Sequence, residues 1–309
     1  MFACSSHDEA ITRVCGTPFG HLQPGSPIQP VWIFACIRRT HRIVNAGTDK
    51  VGLRDVGPGT FKTVPATSSK NAEAEGESAG PVTAATDRLL ATTSTFDAEA
   101  LTASSLCAGW TRAHVLAHLA RNADALTNLL TWARTGTENF MYPSKEQRDA
   151  DIETGASQPL DDLIDDLKRA SDRFASAVTE LPAAAWQQEV RMGPGGSGPT
   201  IPARRTLWAR LQELEVHHVD LDAGYAPDDW PDMFVRRALA ETIRGFGQRD
   251  DVPDVTLAID GTTARIGNGG HVTVKGPPRQ ILAWLIGRSS GERLETTPAQ
   301  PLPRLPQWK

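Results

Sequence analysis

The residues best suited to chemistry stand in two separate runs: His118 in HVLAHLARNADAL, and Glu213 with His217 in RLQELEVHHVDL. Glu213 and His217 are four positions apart, so a helix projects both from one face, one turn above the other. With His118 brought from a second helix, the set becomes two imidazoles and a carboxylate. Those are the donors of an open, catalytic zinc site, in which a fourth position is left for water or substrate. The same donors also accept iron, cobalt or nickel. On spacing alone the Glu-x-x-x-His pair reads more readily as a surface hydrogen-bonded pair, and a histidine at the edge of an apolar stripe as structural.

The elements that must position these residues narrow the choice. In the run Thr111 to Arg134, Val115, Leu119, Leu126 and Leu130 form the apolar stripe of a helix; His118 lies at its edge and His114 points toward solvent. In the run Ala203 to Ala223 the stripe is Leu207, Leu211, Leu214 and Leu221, with His218 near its centre and Glu213 and His217 flanking it. Burial would favour His218, but four residues before it stands Leu214, whereas four before His217 stands Glu213. His218 therefore reads as a satisfied core histidine, with Glu215 open to a supporting role.

The rest of the chain supplies a frame for two such helices. A third helical run extends from about Leu160, after Pro159, to Leu181, and an earlier one from Val82 to Ala98. The Gly/Pro-rich patch RMGPGGSGPTIP interrupts the pattern, and Gly224 stands where a left-handed residue closes the fourth helix. Four helices with long connections predict a bundle over residues 81–225. After it, a helical link at Met233–Gln248, strand-like runs DVTLAID, TARIG and HVTVKG, and the short helix PRQILAWLIGR predict a small α+β domain over 226–309. The fold class is thus mainly α with an α+β C-terminal domain.

Residues 1–74 differ from all of this. They mix GTPFG, QPGSPIQP and VGPGT, show no sustained period, and run on into the low-complexity stretch ATSSKNAEAEGESAG, which predicts a disordered extension or an upstream start assigned in error. Composition bounds the partners. With 39% hydrophobic and 22% charged residues over 309 positions the chain is of the globular class, and a net charge of −5 offers no basic field for nucleic acid. The longest apolar runs, VWIFACI and ILAWLI, are far short of the roughly 20 residues of a membrane helix. Three of four cysteines (Cys4, Cys15, Cys36) lie in the N-terminal stretch and only Cys107 beyond it, which makes no disulfide framework and fits a reducing cytoplasm. Cys107 itself reads as a packing or loop residue.

The segments LCAGWTRAHVLAHLARNADALTNLLTWARTG, MYPSKEQRDADIETGA, RLQELEVHHVDLDAGY and VKGPPRQILAWLIGR, in this order, resemble the mycothiol-dependent maleylpyruvate isomerase family. The resemblance runs from about residue 81 to the C-terminus. It implies a DinB-like metal-binding four-helix bundle followed by a small C-terminal domain, with His118, Glu213 and His217 holding a divalent metal, usually zinc. It further implies that Arg288, the arginine ending WLIGR, brings an essential cation to the active site. Gln212, where many relatives are expected to carry arginine, departs from the pattern without touching the ligand set.

The implied activity is conversion of maleylpyruvate to fumarylpyruvate. A thiolate adds to the conjugated cis double bond, the bond rotates as a single bond, and expulsion of the thiolate leaves the trans isomer. A free thiol is mostly protonated at neutral pH, and coordination to a metal favours the thiolate. No cysteine of the chain is placed for this role, so the nucleophile is external and mycothiol supplies it. Arg288 suits a substrate carboxylate in bidentate fashion, or else complements a helix C-terminus. Asn122, one turn after His118, either touches cofactor or substrate or bonds a neighbouring helix. Asp220 and Asp222 are near enough to orient His217 or His218, or else are only solvated, and Arg148, in the loop before the third helix, reads as a surface residue, with contact to an anionic group as the alternative. Two further readings stay open: a mycothiol S-transferase acting on electrophiles, and a noncatalytic metal-binding bundle, which the intact ligand set and Arg288 disfavour.

Overall fold

The computed structural model describes residues 77–308, and the expectation for residues 1–74 falls outside that range. Helices dominate the first part: α1 (Ala79–Thr93), α2 (Ala98–Thr102), α3 (Arg112–Thr135), α4 (Lys145–Ala156), α5 (Leu160–Glu180) and α6 (Arg205–Asp220). The long helices α1, α3, α5 and α6 pack around a core that includes Leu89, Leu116, Leu126, Leu163, Leu167 and Leu211. Between α5 and α6, strands β1 (Glu189–Arg191) and β2 (Thr200–Pro202) pair antiparallel across the glycine-rich patch.

The remainder is mixed. Helix α7 (Asp232–Phe246) is followed by β3 (Val255–Ile259), β4 (Thr262–Ile266), β5 (Val272–Lys275), α8 (Pro278–Leu285) and β6 (Glu295–Thr297). The sheet order is β4-β3-β5-β6, with β3 and β5 parallel and both outer pairs antiparallel. Asp260 and Gly261 turn the β3–β4 hairpin with φ of 44° and 75°, the positive values of a two-residue hairpin turn. The mainly α architecture with a small C-terminal sheet is the one expected. Among the described residues no helix is long and apolar enough to cross a membrane.

Several elements differ from the sequence reading, each for a local reason. The single helix expected over Val82–Ala98 is two. Ser94 and Thr95 turn their hydroxyls back onto the carbonyls of Ala91 and Thr92, and Asp97 then caps α2 by accepting from the Ala100 amide at 2.7 Å. The fourth helix stops at Asp220 instead of Ala223, because Arg112 takes the carbonyls of Leu221 and Asp222 at 2.6 and 2.5 Å. The segment around Arg148 is helix α4, not a loop. Its buried members are Arg148 and Ile152, so it has no apolar stripe to betray it, and Ser144 starts it by accepting from the Gln147 amide.

Candidate metal centre

Helix α3 carries His118 and Asn122, and α6 carries Arg210, Glu213, His217 and Asp220; the two helices pack against each other. The packing brings His118 Nε2 to 2.9 Å and His217 Nε2 to 3.3 Å from the same oxygen, Glu213 Oε2. The two imidazoles meet edge to face, 4.7 Å between ring centres. All three residues are buried, and one donor atom from each lies within 4.8 Å of the others. Ligands about 2.0–2.1 Å from a tetrahedral ion stand roughly 3.3 Å apart, so the spacing matches a metal site with little adjustment.

The supporting contacts define how each ligand is held. Asp220 Oδ2 accepts from His217 Nδ1 at 2.8 Å, which leaves His217 Nε2 as the bare lone pair. That nitrogen is buried and has no hydrogen-bond partner, as a metal ligand before loading would be. Asp220 in turn accepts from Arg288 Nε at 2.9 Å and Nη2 at 2.7 Å, and from the Cys107 thiol at 3.3 Å. On the other imidazole, Arg148 Nη2 meets His118 Nδ1 at 3.2 Å. A guanidinium only donates, so Nδ1 accepts and the His118 proton sits on Nε2, facing Glu213. A divalent ion would take the place of that proton.

The electrostatics favour a cation at this spot. Burial alone would raise Glu213, but its hydrogen bond to His118 and the close approach of His217 outweigh that and hold it far below the usual carboxylate range. Burial pushes His118 down to about 4, which keeps it neutral and able to ligate. For His217 burial opposes charge, yet Asp220, Cys107 and Glu213 outweigh it and raise the ring well above its ordinary value. The field that would hold a proton there would hold a metal.

Around the ligands lies a second layer of polar groups. Arg210, buried in α6, donates from Nη1 to Leu119 O at 2.8 Å and Asn122 Oδ1 at 2.9 Å, and burial lowers it to about 10. Tyr142 lies beneath Arg148, whose guanidinium carbon is 5.9 Å from its ring centre, and burial raises its hydroxyl so that it stays protonated. Trp110 packs on His118 at 5.6 Å between ring centres.

Arg288 owes its position to Gly287. Just past the end of α8, Gly287 takes φ 73° and the Arg288 amide bonds back to Ala283 O at 2.7 Å, a left-handed cap that swings the arginine toward α6. Its fork faces Asp220, with both side chains fully buried. Arg148, read as a surface residue, is only 8% exposed, because α4 lays it across His118. His114, read as solvent-facing, is 20% exposed and caps its own helix through Thr111, whose hydroxyl lies 2.7 Å from Nδ1. Of the two readings for Cys107 the packing one holds: it is buried, with its thiol on Asp220. His218 is the satisfied core histidine expected, 2.8 Å from the Thr92 hydroxyl and stacked on Tyr225. Glu215 serves that cluster, accepting from Arg88 and Tyr225, while Asp222 lies beyond the helix end at φ 50°. Tyr142 and Arg210 escaped the sequence reading; the motif MYPSKEQR and an arginine on the buried side of the ligand helix were the available signals.

Comparison with known proteins gives this geometry a family. Residues 82–222 match the mycothiol maleylpyruvate isomerase N-terminal domain. A crystal structure of the mycothiol-dependent maleylpyruvate isomerase superposes with a TM-score of 0.70 at 30% identity, covering 76% of this chain and 96% of that one. The chain belongs to the mycothiol-dependent maleylpyruvate isomerase family. The structure of a point mutant of the mycothiol-dependent maleylpyruvate isomerase matches with the same TM-score, identity and coverage. No curated protein sequence matches the chain. The likeness extends beyond the N-terminal match, since 76% of the chain exceeds the span of residues 82–222.

Proposed function

We propose that the chain catalyses thiol-dependent cis–trans isomerisation of maleylpyruvate to fumarylpyruvate, with a divalent metal, zinc by its donor chemistry, and mycothiol as cofactors. The observation that carries this reading is the buried His118–Glu213–His217 group with its open His217 Nε2, in a chain 30% identical to a solved isomerase of that name. His118 Nε2, Glu213 Oε2 and His217 Nε2 would hold the metal. When bound, a divalent metal lowers the pKa of a coordinated thiol, and the thiol cofactor provides the nucleophile.

The chain's residues set the conditions. Asp220 fixes the His217 tautomer, Glu213 stays ionised, and His118 stays neutral at pH 7. Cys107 is no substitute nucleophile, since burial raises its thiol and its proton is committed to Asp220. Asn122 presents Nδ2, buried and without a partner, as the donor for a cofactor contact. Arg288 acts from the C-terminal part of the chain through Asp220; a direct grip on substrate would cost it one of those bonds. A boundary near residue 225 between bundle and C-terminal domain, and a reducing cytoplasmic setting, belong to the same proposal.

Maleylpyruvate absorbance followed with metal-loaded protein, with and without mycothiol, tests the reading. Isomerisation that requires the thiol supports it. Consumption of thiol in step with substrate would make the protein an S-transferase, and neither change would leave a noncatalytic metal-binding bundle.

A further inference from the structure

Five buried side-chain atoms among the described residues lack a hydrogen-bond partner, and three belong to the metal centre: His217 Nε2, Asn122 Nδ2 and the Tyr142 hydroxyl. A metal accounts for the first. The other two are donors. Asn122 is fully buried and Tyr142 is 5% exposed, and a buried donor left unsatisfied costs about 1–3 kcal/mol, so each is a place where an acceptor belongs. Both border Arg210, Asn122 by its hydrogen bond and Tyr142 by an electrostatic interaction.

The surroundings of Tyr142 select the acceptor's charge. Arg148 lies over its ring and acts on its hydroxyl by charge and as a hydrogen-bond donor, and Arg210 and Glu213 are the other charged groups that act on it. A guanidinium only donates, so the hydroxyl proton is still left without an acceptor. Two guanidinium groups against one carboxylate leave a positive balance, to which a divalent ion at Glu213 would add. Asp149, paired with Arg148 Nη1, is 41% exposed and faces water, so it offsets little of this. The Tyr142 backbone is pinned from behind: the Gly195 amide donates to Tyr142 O at 2.9 Å and the Gly193 amide to Met141 Sδ at 3.2 Å. The glycine-rich patch between β1 and β2 thus holds the ring in place without occupying its hydroxyl.

We propose that Tyr142, with Arg148 beside it, forms an oxygen-anion subsite bordering the metal centre, where a carboxylate oxygen of the substrate accepts the Tyr142 hydroxyl proton as a hydrogen bond. This deepens the isomerase reading and rests on it for the identity of the substrate. The subsite is a property of these residues and is measurable by itself.

Fumarate, a dicarboxylate whose two groups point apart and do not chelate one ion, is the probe. Its binding to metal-loaded protein is measured by calorimetry for the wild type, Tyr142→Phe and Arg148→Met, beside metal content, thermal midpoint and the isomerase constants. Tyr142→Phe is expected to weaken fumarate binding about tenfold and to raise KM for maleylpyruvate more than it lowers kcat, since a hydrogen bond to a charged group is lost. Metal content stays the same and the thermal midpoint falls little, because the hydroxyl proton removed has no acceptor in the free protein. Arg148→Met is expected to weaken fumarate binding at least as much. Equal affinities for wild type and Tyr142→Phe, absence of fumarate binding in the wild type, or a loss that tracks loss of metal would each overturn the subsite. Tyr142-dependent fumarate binding without maleylpyruvate turnover would uphold the subsite and sink the isomerase reading instead.

Discussion

Replacing Arg288 by methionine separates a positioning role from a direct catalytic one. Arg288 and Asp220 are both fully buried and joined by two short bonds of 2.9 and 2.7 Å. Methionine fills similar volume but leaves the Asp220 carboxylate with only the His217 Nδ1 proton and the Cys107 thiol. Removing one partner of a buried ion pair costs about 3–5 kcal/mol, because the remaining charge has lost its solvent and its counterion. For a folded part of this size each kcal/mol moves the midpoint by roughly 2–4 °C, so a fall on the order of 10 °C is expected in a melt followed by circular dichroism. Asp220 also orients His217, so metal affinity should fall by about 10–100-fold in a competition with a chromogenic chelator. The double variant Arg288→Met with Asp220→Asn should regain much of the stability, since no bare carboxylate remains, and little of the metal affinity. A single variant with an unchanged midpoint and metal affinity, whose only defect is a raised KM, would refute this account and return Arg288 to direct contact with substrate.

Three other outcomes are expected. His118→Ala and Glu213→Ala should each lose bound metal by elemental analysis, and full metal content in both would remove the site assignment. His218 has its ring pushed down to about 4 from 6.5 by burial and by the Arg88 charge, so the unfolded chain takes up a proton before the folded one as the pH drops. Its contribution is therefore complete above pH 6.5 and fades toward pH 4, by about 3 kcal/mol, and the pH dependence of urea unfolding should flatten by that much in His218→Gln. Gly287→Ala meets no atom within 4 Å but must adopt φ 73°, so a loss of about 1 kcal/mol in urea unfolding is expected, with weaker metal retention because the cap aims Arg288.

The candidate ligand group could be picked out in the sequence because its placement on helix faces rests on local rules, and the family resemblance then singled it out. A Glu and a His one helical turn apart share a face whatever surrounds them, and the apolar stripes at Val115–Leu130 and Leu207–Leu221 told which faces turn inward. The helices built on stripes, α3 and α5, came out within a residue or two of their expected ends. Elements held by side-chain contacts from far along the chain did not. Helix α4 carries few buried side chains, and α6 ends where Arg112, over a hundred residues earlier, takes the carbonyls of Leu221 and Asp222 just past it.

By itself the sequence determined which residues have metal-binding chemistry, which helix faces carry them, and the family to which they belong. Only the tertiary structure decided what each candidate ligand leans on. The packing of α3 on α6 set both imidazoles on one Glu213 oxygen, α4 turned a nominal surface arginine onto His118, and the cap at Gly287 set Arg288 on Asp220 and not in open space. The physical reason is range. Periodicity and side-chain chemistry act within a turn or two of helix, whereas the partner of a buried charge is chosen by whichever distant element covers it, and no local pattern records that choice.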